Sequence, residues 1–370
     1  MNKTDLNKSR RSFVKKLGAS VTFIVLGNSL ACSSGNSNGN STNNDNEDDG
    51  DGENNNGDMQ TYNEWIKEAS MPYKLQEIYC TVLNNKIHVA GGFIDNNGII
   101  DISSNHILFD PNENLWKSMA SIPEPRHHLQ LINHQGKLYA LGGFNAKSEN
   151  ESWMMEEQAW RFDYANDAWE VMNSAPKKNA ETVSASLGNF IHIVGGRQPK
   201  GISNSRYGDH EDTDSHLMYD AVSNSWDFAS PALSKRNSAA GVVIDGLLYI
   251  AGGRTMSGNN VSSLEIYNPQ EDKWRNGTPM PQAQAGLAAA SINGKLYAFG
   301  GEYSGNGGGV FKECWTYNPV SDQWAESVPM LTPRHGLGAA TIGTKIYAIG
   351  GAKKANAVET SNLLESIQFQ

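Results

Sequence analysis

A glycine pair ends a short apolar run six times in this chain, and a tryptophan keeps the same beat. The pairs are Gly91-Gly92, Gly142-Gly143, Gly195-Gly196, Gly252-Gly253, Gly300-Gly301 and Gly350-Gly351. The tryptophans are Trp65, Trp116, Trp169, Trp226, Trp274 and Trp324. Both series step by 51, 53, 57, 48 and 50 residues. Two independent markers with one spacing define an internal repeat, and a period near 50 residues means stacked or radially arranged units. The runs before the pairs (Ile87-His88-Val89-Ala90, Leu248-Tyr249-Ile250-Ala251 and their equivalents) are rich in strand-forming residues. Before the later tryptophans stand Phe109-Asp110-Pro111, Phe162-Asp163-Tyr164, Tyr219-Asp220-Ala221, Tyr267-Asn268-Pro269 and Tyr317-Asn318-Pro319. An aromatic residue, an Asp or Asn and a turn residue mark a strand entering a hairpin. Each period therefore holds four strands.

This pattern resembles the kelch repeat, and the resemblance covers residues 62–370. It implies an all-β fold, a six-bladed kelch β-propeller with four-stranded blades. The last glycine pair is followed by one strand-like run, Leu363 to Phe369, without a tryptophan strand after it. The strand around Trp65 has no blade of its own. The N-terminal strand is therefore expected to complete the last blade and close the ring, which removes a loose sheet edge. Cys80 and Cys314 fall in distant blades, so both are expected to be free, buried packing residues.

Residues 1–58 have a different composition. Arg10-Arg11-Ser12-Phe13, followed by an uncharged apolar stretch from Leu17 to Leu26, resembles a twin-arginine export signal. Ser29-Leu30-Ala31-Cys32 resembles a bacterial lipobox, with Cys32 as the lipidated residue. Residues 33–58 contain only Ser, Gly, Asn, Thr, Asp and Glu, with seven acids and no base. Such a segment cannot offset chain entropy by burial and reads as a disordered tether, roughly 25–30 Å end to end as a flexible coil. The division expected is an export signal over 1–31, a lipidated cysteine and tether over 32–58, and the propeller over 59–370. The location implied is the cell envelope, anchored by lipid to the outer membrane. No apolar run reaches the roughly 18 residues that a spanning helix needs.

Charge bounds the partners. The chain carries 30 basic and 40 acidic residues, a net charge of −10. Residues 1–31 hold six of the bases and one acid, so the remainder has 24 bases against 39 acids. A general nucleic-acid surface needs the opposite balance. No partner chain is called for, and a monomer is expected.

Antiparallel pairing places the start of each inner strand beside the end of the next strand. Counting sixteen positions back from each first glycine gives Leu75, Arg126, Asn179, Arg236, Gln284 and Arg334. The next column contains His127 and His335, and the one after it Glu77, His128, Glu181, Ser238, Gly286 and Gly336. Two positions beyond the first glycine stand Phe93, Phe144, Arg197, Arg254, Glu302 and Ala352. Arg126, Arg197, Arg236, Arg254 and Arg334, with His127, His335 and Glu302, are thus expected on one rim. Guanidinium groups bind carboxylates bidentately, so an anion pocket follows; the other reading is that each arginine braces neighbouring blades. Kelch adaptors of ubiquitin ligases receive acidic peptides on arginines at both of these positions. The blade count and location also resemble the periplasmic N-acetylneuraminate epimerases (sialic acid mutarotases). That resemblance implies an acidic saccharide as ligand and Glu302 as the acid/base. An acidic peptide, or a non-catalytic protein or glycan interaction module, is the alternative.

Two long segments stand beside the pocket: Asn145 to Gln158, carrying Trp153, and Arg206 to His216. The Asp/His/Glu group in the second lacks a recognisable ligand spacing, so no metal and no cofactor are expected. A polysaccharide lyase, using His127, His128 and Tyr207, is a further alternative. A copper oxidase resembling galactose oxidase is disfavoured by the placement of Cys80 and Cys314.

Overall fold

The computed structural model describes residues 64–146, 153–305 and 307–369; the export signal, Cys32 and the tether lie outside them. Six four-stranded antiparallel sheets carry the six repeats. Blade 1 runs Cys80–Leu83, Lys86–Ala90, His106–Asp110, Leu115–Met119. Blades 2 to 5 repeat this order, with first strands Gln130–His134, Val183–Leu187, Ala240–Ile244 and Ala288–Ile292. Blade 6 combines Gly338–Ile342, Lys345–Ile349 and Leu364–Gln368 with the N-terminal Trp65–Lys67, where Trp65 lies opposite Ile367. Among the described residues no helix is long and apolar enough to cross a membrane.

The periodic residues are the contacts between blades. The amide of each second glycine donates to the next blade: Gly92 to Arg126 O (2.7 Å), Gly143 to Asn179 O (3.1 Å), Gly196 to Arg236 O (2.8 Å). Gly253 donates to Gln284 O (2.8 Å), Gly301 to Arg334 O (3.0 Å), and Gly351 to Leu75 O (2.8 Å), which joins blade 6 to blade 1. Both glycines of a pair take positive φ, as with 73° and 92° at Gly91 and Gly92. A Cβ on Gly91 would stand 2.4 Å from Arg126 O. Glycine is required there by the left-handed backbone and by the approach of the neighbouring chain.

The tryptophans work from the outer strands. Trp116 Nε1 donates to Ala69 O (2.8 Å), Trp169 to Ala120 O (2.9 Å), Trp226 to Asn173 O (2.8 Å), Trp274 to Ser230 O (2.8 Å) and Trp324 to Thr278 O (2.8 Å). The same five acceptor residues give their amides to Asn114, Asp167, Asn224, Asp272 and Asp322, at 2.8–3.0 Å. Each acid or amide sits two residues before its tryptophan, so indole and side-chain oxygen grip one residue of the preceding blade at both polar atoms. Trp65 completes the set by donating to Val328 O at 3.2 Å.

The sequence expectation of four strands per period omits one element. Between the second and third strands, five blades insert a short hairpin, such as Arg197–Pro199 with His210–Asp212 and Ala352–Lys354 with Val358–Thr360. These ribbons lie just beyond the glycine pairs and build the walls of the mouth. Lower down, all six first strands line an axial cavity of about 170 Å³. Tyr79, Thr81, Gln130 and Ser184 make one side polar, while Ala240, Gly241, Ala288, Ala289, Gly338 and Ala339 make the other small and apolar. Cys80 and Cys314 are free thiols; Cys314 is buried, but Cys80 is half-buried, its thiol donating to Ala339 O at 3.0 Å.

Candidate functional site

The axial mouth is built on a left-handed collar. Glu77, His128, Glu181, Ser238, Gly286 and Gly336 occupy one position in the six blades, with φ of 53°, 52°, 52°, 51°, 64° and 60°. Their amides join blade to blade: His128 N to Glu77 O (3.0 Å), Ser238 N to Glu181 O (3.2 Å), Gly286 N to Ser238 O (2.9 Å), Gly336 N to Gly286 O (2.9 Å) and Glu77 N to Gly336 O (2.7 Å). A non-glycine residue in this region costs on the order of 1–2 kcal/mol. Four such residues, three of them ionisable, therefore carry strain at the mouth.

The column one residue earlier pairs with the column two residues past each first glycine. His127 bridges Phe144, Ala180 bridges Arg197, Asn237 bridges Arg254, Ala285 bridges Glu302 and His335 bridges Ala352. These residues share one end of the barrel of blades. Arg197, Arg254, Glu302, His127 and His335 are brought together there, joined by Glu77, His128 and Glu181.

Arg126, Arg236 and Arg334 are not at this mouth; their placement corrects the expected rim. All three are buried within their own blades. Arg334 Nε donates to Gly350 O (2.7 Å), Nη1 to Thr332 O (2.7 Å) and Glu365 Oε2 (2.6 Å), and Nη2 to Ala348 O (2.9 Å). Arg236 pairs with Glu265 and donates to Ser263 Oγ (2.9 Å) and Ile250 O (3.1 Å). Arg126 binds Glu124 Oε2 (2.8 Å) and Gln158 Oε1 (3.0 Å), and lies 5.1 Å over the ring of Trp160. None of the three lies in a strand: each stands just before an isolated bridge residue (His127, Asn237, His335) and a left-handed residue (His128, Ser238, Gly336). The column of Arg126, Arg236 and Arg334 turns back into its own blade, and the columns that follow the chain across the mouth face the axis. Glu265 and Glu365, each second in its third strand, are the signal in the sequence that identifies a brace.

At the mouth the charges interlock. Arg197 Nε lies 2.9 Å from Glu181 Oε2, its Nη2 donates to Tyr207 OH at 3.0 Å, and its guanidinium stacks 4.2 Å from that ring. Arg254 Nη1 lies 2.5 Å from Glu302 Oε1, and Glu302 Oε2 accepts the amide of Asn356 at 2.9 Å. His128 Nε2 stands 2.9 Å from Glu77 Oε2 and 3.4 Å from Glu181 Oε1. His335 Nδ1 stands 3.5 Å from Glu77 Oε1. Burial pushes all three carboxyls up, but neighbouring cations outweigh it. Glu77 is held far below the usual range by His128, His335 and Arg254, Glu181 is lowered by Arg197, His128 and Arg254, and Glu302 by His335 and Arg254. The mouth thus holds three carboxylates.

An aromatic wall faces these charges. His127 stacks between Phe93 (4.0 Å) and Phe144 (5.0 Å), with Trp153 edge-on at 5.0 Å. Trp153 packs on Tyr207 at 5.5 Å. The two long loops are tied together: Trp153 N donates to Ser205 O (3.1 Å), His210 Nε2 donates to Trp153 O (3.0 Å), and Asn204 binds both polar backbone atoms of Met155. In the second loop Asp209 accepts the amides of Ser205 and Arg206, and Asp212 accepts Asn237 Nδ2 and Met256 N. Those acids hold the loop in place. Among the described residues no group of three His, Cys, Asp or Glu side chains is arranged to hold a metal ion.

Some donors and acceptors remain open. Arg197 Nη1, Arg254 Nε and His127 Nε2 are buried without a hydrogen-bond partner. Arg126 Nε and Arg236 Nε, inside the braces, are open in the same way; those at the mouth are placed where a ligand or water can complete them.

The Kelch-repeats domain shared by KLHDC2, KLHL20 and DRC7 matches residues 77–280 and 184–365. Kelch-like protein 35 of Mus musculus is 24% identical over 238 residues, 64% of this chain and 37% of that protein. Kelch-like protein terF of Aspergillus terreus is 27% identical over 236 residues, 62% of this chain and 50% of that protein. The chain therefore spans half or less of the length of these relatives. The solved structure of YjhT superimposes with a TM-score of 0.65 at 15% identity, covering 81% of this chain and 95% of the other. The repeat spacing, the glycine and tryptophan contacts between blades and the match across both halves agree: the chain belongs to the Kelch-repeat family.

Proposed function

We propose that this protein is an envelope-anchored Kelch propeller that binds an acidic carbohydrate in its axial mouth. The observation that carries the reading is the pair Arg197 and Arg254, each with an unpartnered buried donor, beside an aromatic wall. A carboxylate ligand would complete Arg197 Nη1 and Arg254 Nε with charge-assisted hydrogen bonds. Trp153 and Tyr207 offer apolar faces to a sugar ring. The polar loops at the mouth fix orientation, as a small-ligand site requires. The twin-arginine-like leader, Cys32 and the acidic tether support an anchored location outside the cytoplasm. The resemblance to sialic acid mutarotases supports a sugar acid over a peptide.

In this reading Glu302 positions Arg254. Both its oxygens are occupied, by Arg254 and by the Asn356 amide, and its ionised state leaves no proton to donate. Binding is therefore the activity proposed, and processing of the sugar is not required. The test is a thermal-shift screen of the purified chain against glucuronate, galacturonate, N-acetylneuraminate and glucose. Stabilisation by an acid, absent with glucose and abolished by Arg254→Ala or Arg197→Ala, supports the reading. Equal response to glucose and the acids, or none to any, rejects it.

A further inference from the structure

The axial cavity begins where the collar ends. Its lining starts one or two positions after each collar residue: Tyr79 follows Glu77, Gln130 follows His128, Thr182 follows Glu181, and Ala239, Leu287 and Leu337 follow Ser238, Gly286 and Gly336. Tyr79 is close enough to Glu181, Glu77 and Arg254 to feel their charges. The space of about 170 Å³ therefore lies immediately beneath the mouth.

Crowding at the axis does not force this space. At the position of Tyr79 the other blades carry Gln130, Val183, Ala240, Ala288 and Gly338. Blades 1 to 3 bring large or branched side chains to a level where blades 4 to 6 bring a methyl group or none. Protein interiors pack densely and rarely leave a void larger than a water molecule. A cavity of about 150 Å³ admits benzene, so this one has room for a single six-membered ring.

The lining sets the chemistry of that ring. None of the described residues that line the cavity is charged. Burial pushes the Tyr79 hydroxyl and the Cys80 thiol upward, so both stay neutral. An ion brought in here would lose its water without gaining a partner, which is costly. Gln130 is already fixed, donating to Thr182 O at 2.6 Å and accepting Ser184 Oγ at 2.8 Å. Ser184 Oγ keeps lone pairs to accept with. Thr81 Oγ1 accepts the Asn133 amide at 3.0 Å and keeps its own hydrogen to give. The facing wall of Gly241, Ala289 and Ala339 is apolar. A pyranose has both features, a C–H face for the small wall and hydroxyls for Tyr79, Thr81 and Ser184.

We propose that the axial cavity is a second compartment of the binding site, which takes one uncharged pyranose ring joined to the acid held at the mouth. The inference rests on the acidic-sugar reading above and narrows its ligand to a disaccharide unit, a neutral sugar linked to a sugar acid. Arg197 and Arg254 hold the carboxylate, and the neutral ring lies below the collar. Free glucose lacks the carboxylate and is not held. Tied to an acid at the mouth, its contacts become intramolecular and add to the affinity.

The experiment is calorimetric titration of the purified chain with glucuronate, with the two mixed disaccharides that carry glucose at either end of glucuronate, and with diglucuronate. One of the mixed disaccharides should bind roughly tenfold more tightly than glucuronate, the worth of one or two net hydrogen bonds. Diglucuronate should show no such gain, because its second charge cannot enter. Ala289→Leu narrows the apolar wall and should bring the ratio of mixed-disaccharide to glucuronate affinity down to about one. Tyr79→Phe keeps the ring, removes only the hydroxyl, and should lower that ratio roughly three- to tenfold. Glucuronate binding with no gain for either mixed disaccharide overturns this inference alone, as does an equal gain for diglucuronate. So does a ratio unchanged in Ala289→Leu or, should that variant not fold, in Tyr79→Phe. No binding of any of these acids overturns the acidic-sugar reading, and this inference with it.

Discussion

Replacing Arg334 by alanine separates a brace from a ligand contact, and the structure sets the size of the effect. The guanidinium makes four hydrogen bonds, to Gly350 O, Thr332 O, Ala348 O and Glu365 Oε2, and both Arg334 and Glu365 are fully buried. Glu365 then retains the hydroxyl of Thr332, at 2.6 Å, against its charge. Removing one partner of a buried ion pair typically costs about 3–5 kcal/mol, since a charge remains uncompensated. Globular domains are stable by roughly 5–15 kcal/mol, so a large fraction of the total would be lost. Urea unfolding followed by tryptophan fluorescence measures it as a fall in midpoint, with glucuronate affinity determined in parallel on the folded fraction. Arg334→Leu combined with Glu365→Leu should be considerably more stable than Arg334→Ala, because neither charge is then buried alone. A loss below about 1 kcal/mol, or an unchanged midpoint with lost uronate binding, would return Arg334 to the ligand site and refute the brace.

Three further outcomes are expected. Trp65→Ala should cost about 3–5 kcal/mol, because the indole is buried, packs edge-on to Phe299 at 5.5 Å and donates to Val328 O; a midpoint like that of the parent would show that the N-terminal strand adds nothing to blade 6. The buried pairs His88–His106 and His192–His216, 3.0 and 2.7 Å apart, are held neutral by burial, with His88 lowered to about 3 and the other three to about 4. The unfolded chain binds those protons first, so stability present above about pH 6.5 should fall as pH drops towards 4, by about 1.4 kcal/mol per pH unit for each such imidazole; urea midpoints that stay level from pH 7 to 5 would contradict this. Cys32→Ser should release the protein from washed membranes into the soluble envelope fraction, and a variant that stays membrane-bound at high salt would reject the lipid anchor.

How much of the molecule is legible in its sequence varies with the kind of interaction. Gly91, Trp116 and Asn114 are periodic because every blade must meet the next at the same backbone atoms. A contact repeated six times leaves a mark in a linear sequence, so the blade number and the place of the N-terminal strand follow from spacing alone. The pairing of His127, Asn237 and His335 with Phe144, Arg254 and Ala352 was equally legible, because hairpin geometry fixes which positions face each other.

What the spacing leaves open is the direction of each side chain and the identity of its partner. Arg126, Arg236 and Arg334 share a column with residues one step from the mouth, and that step turns them into the blade. Glu77 and Glu181 occupy the collar column without standing out, and it took the left-handed backbone to bring them to the axis beside His128, Arg197 and His335. Their partners lie 16 to 258 residues away in the chain. The repeat determines the scaffold because local backbone rules act alike in every blade. Only the tertiary structure decides the charge of the mouth, because that charge depends on which unlike residues from different blades share one low-dielectric space.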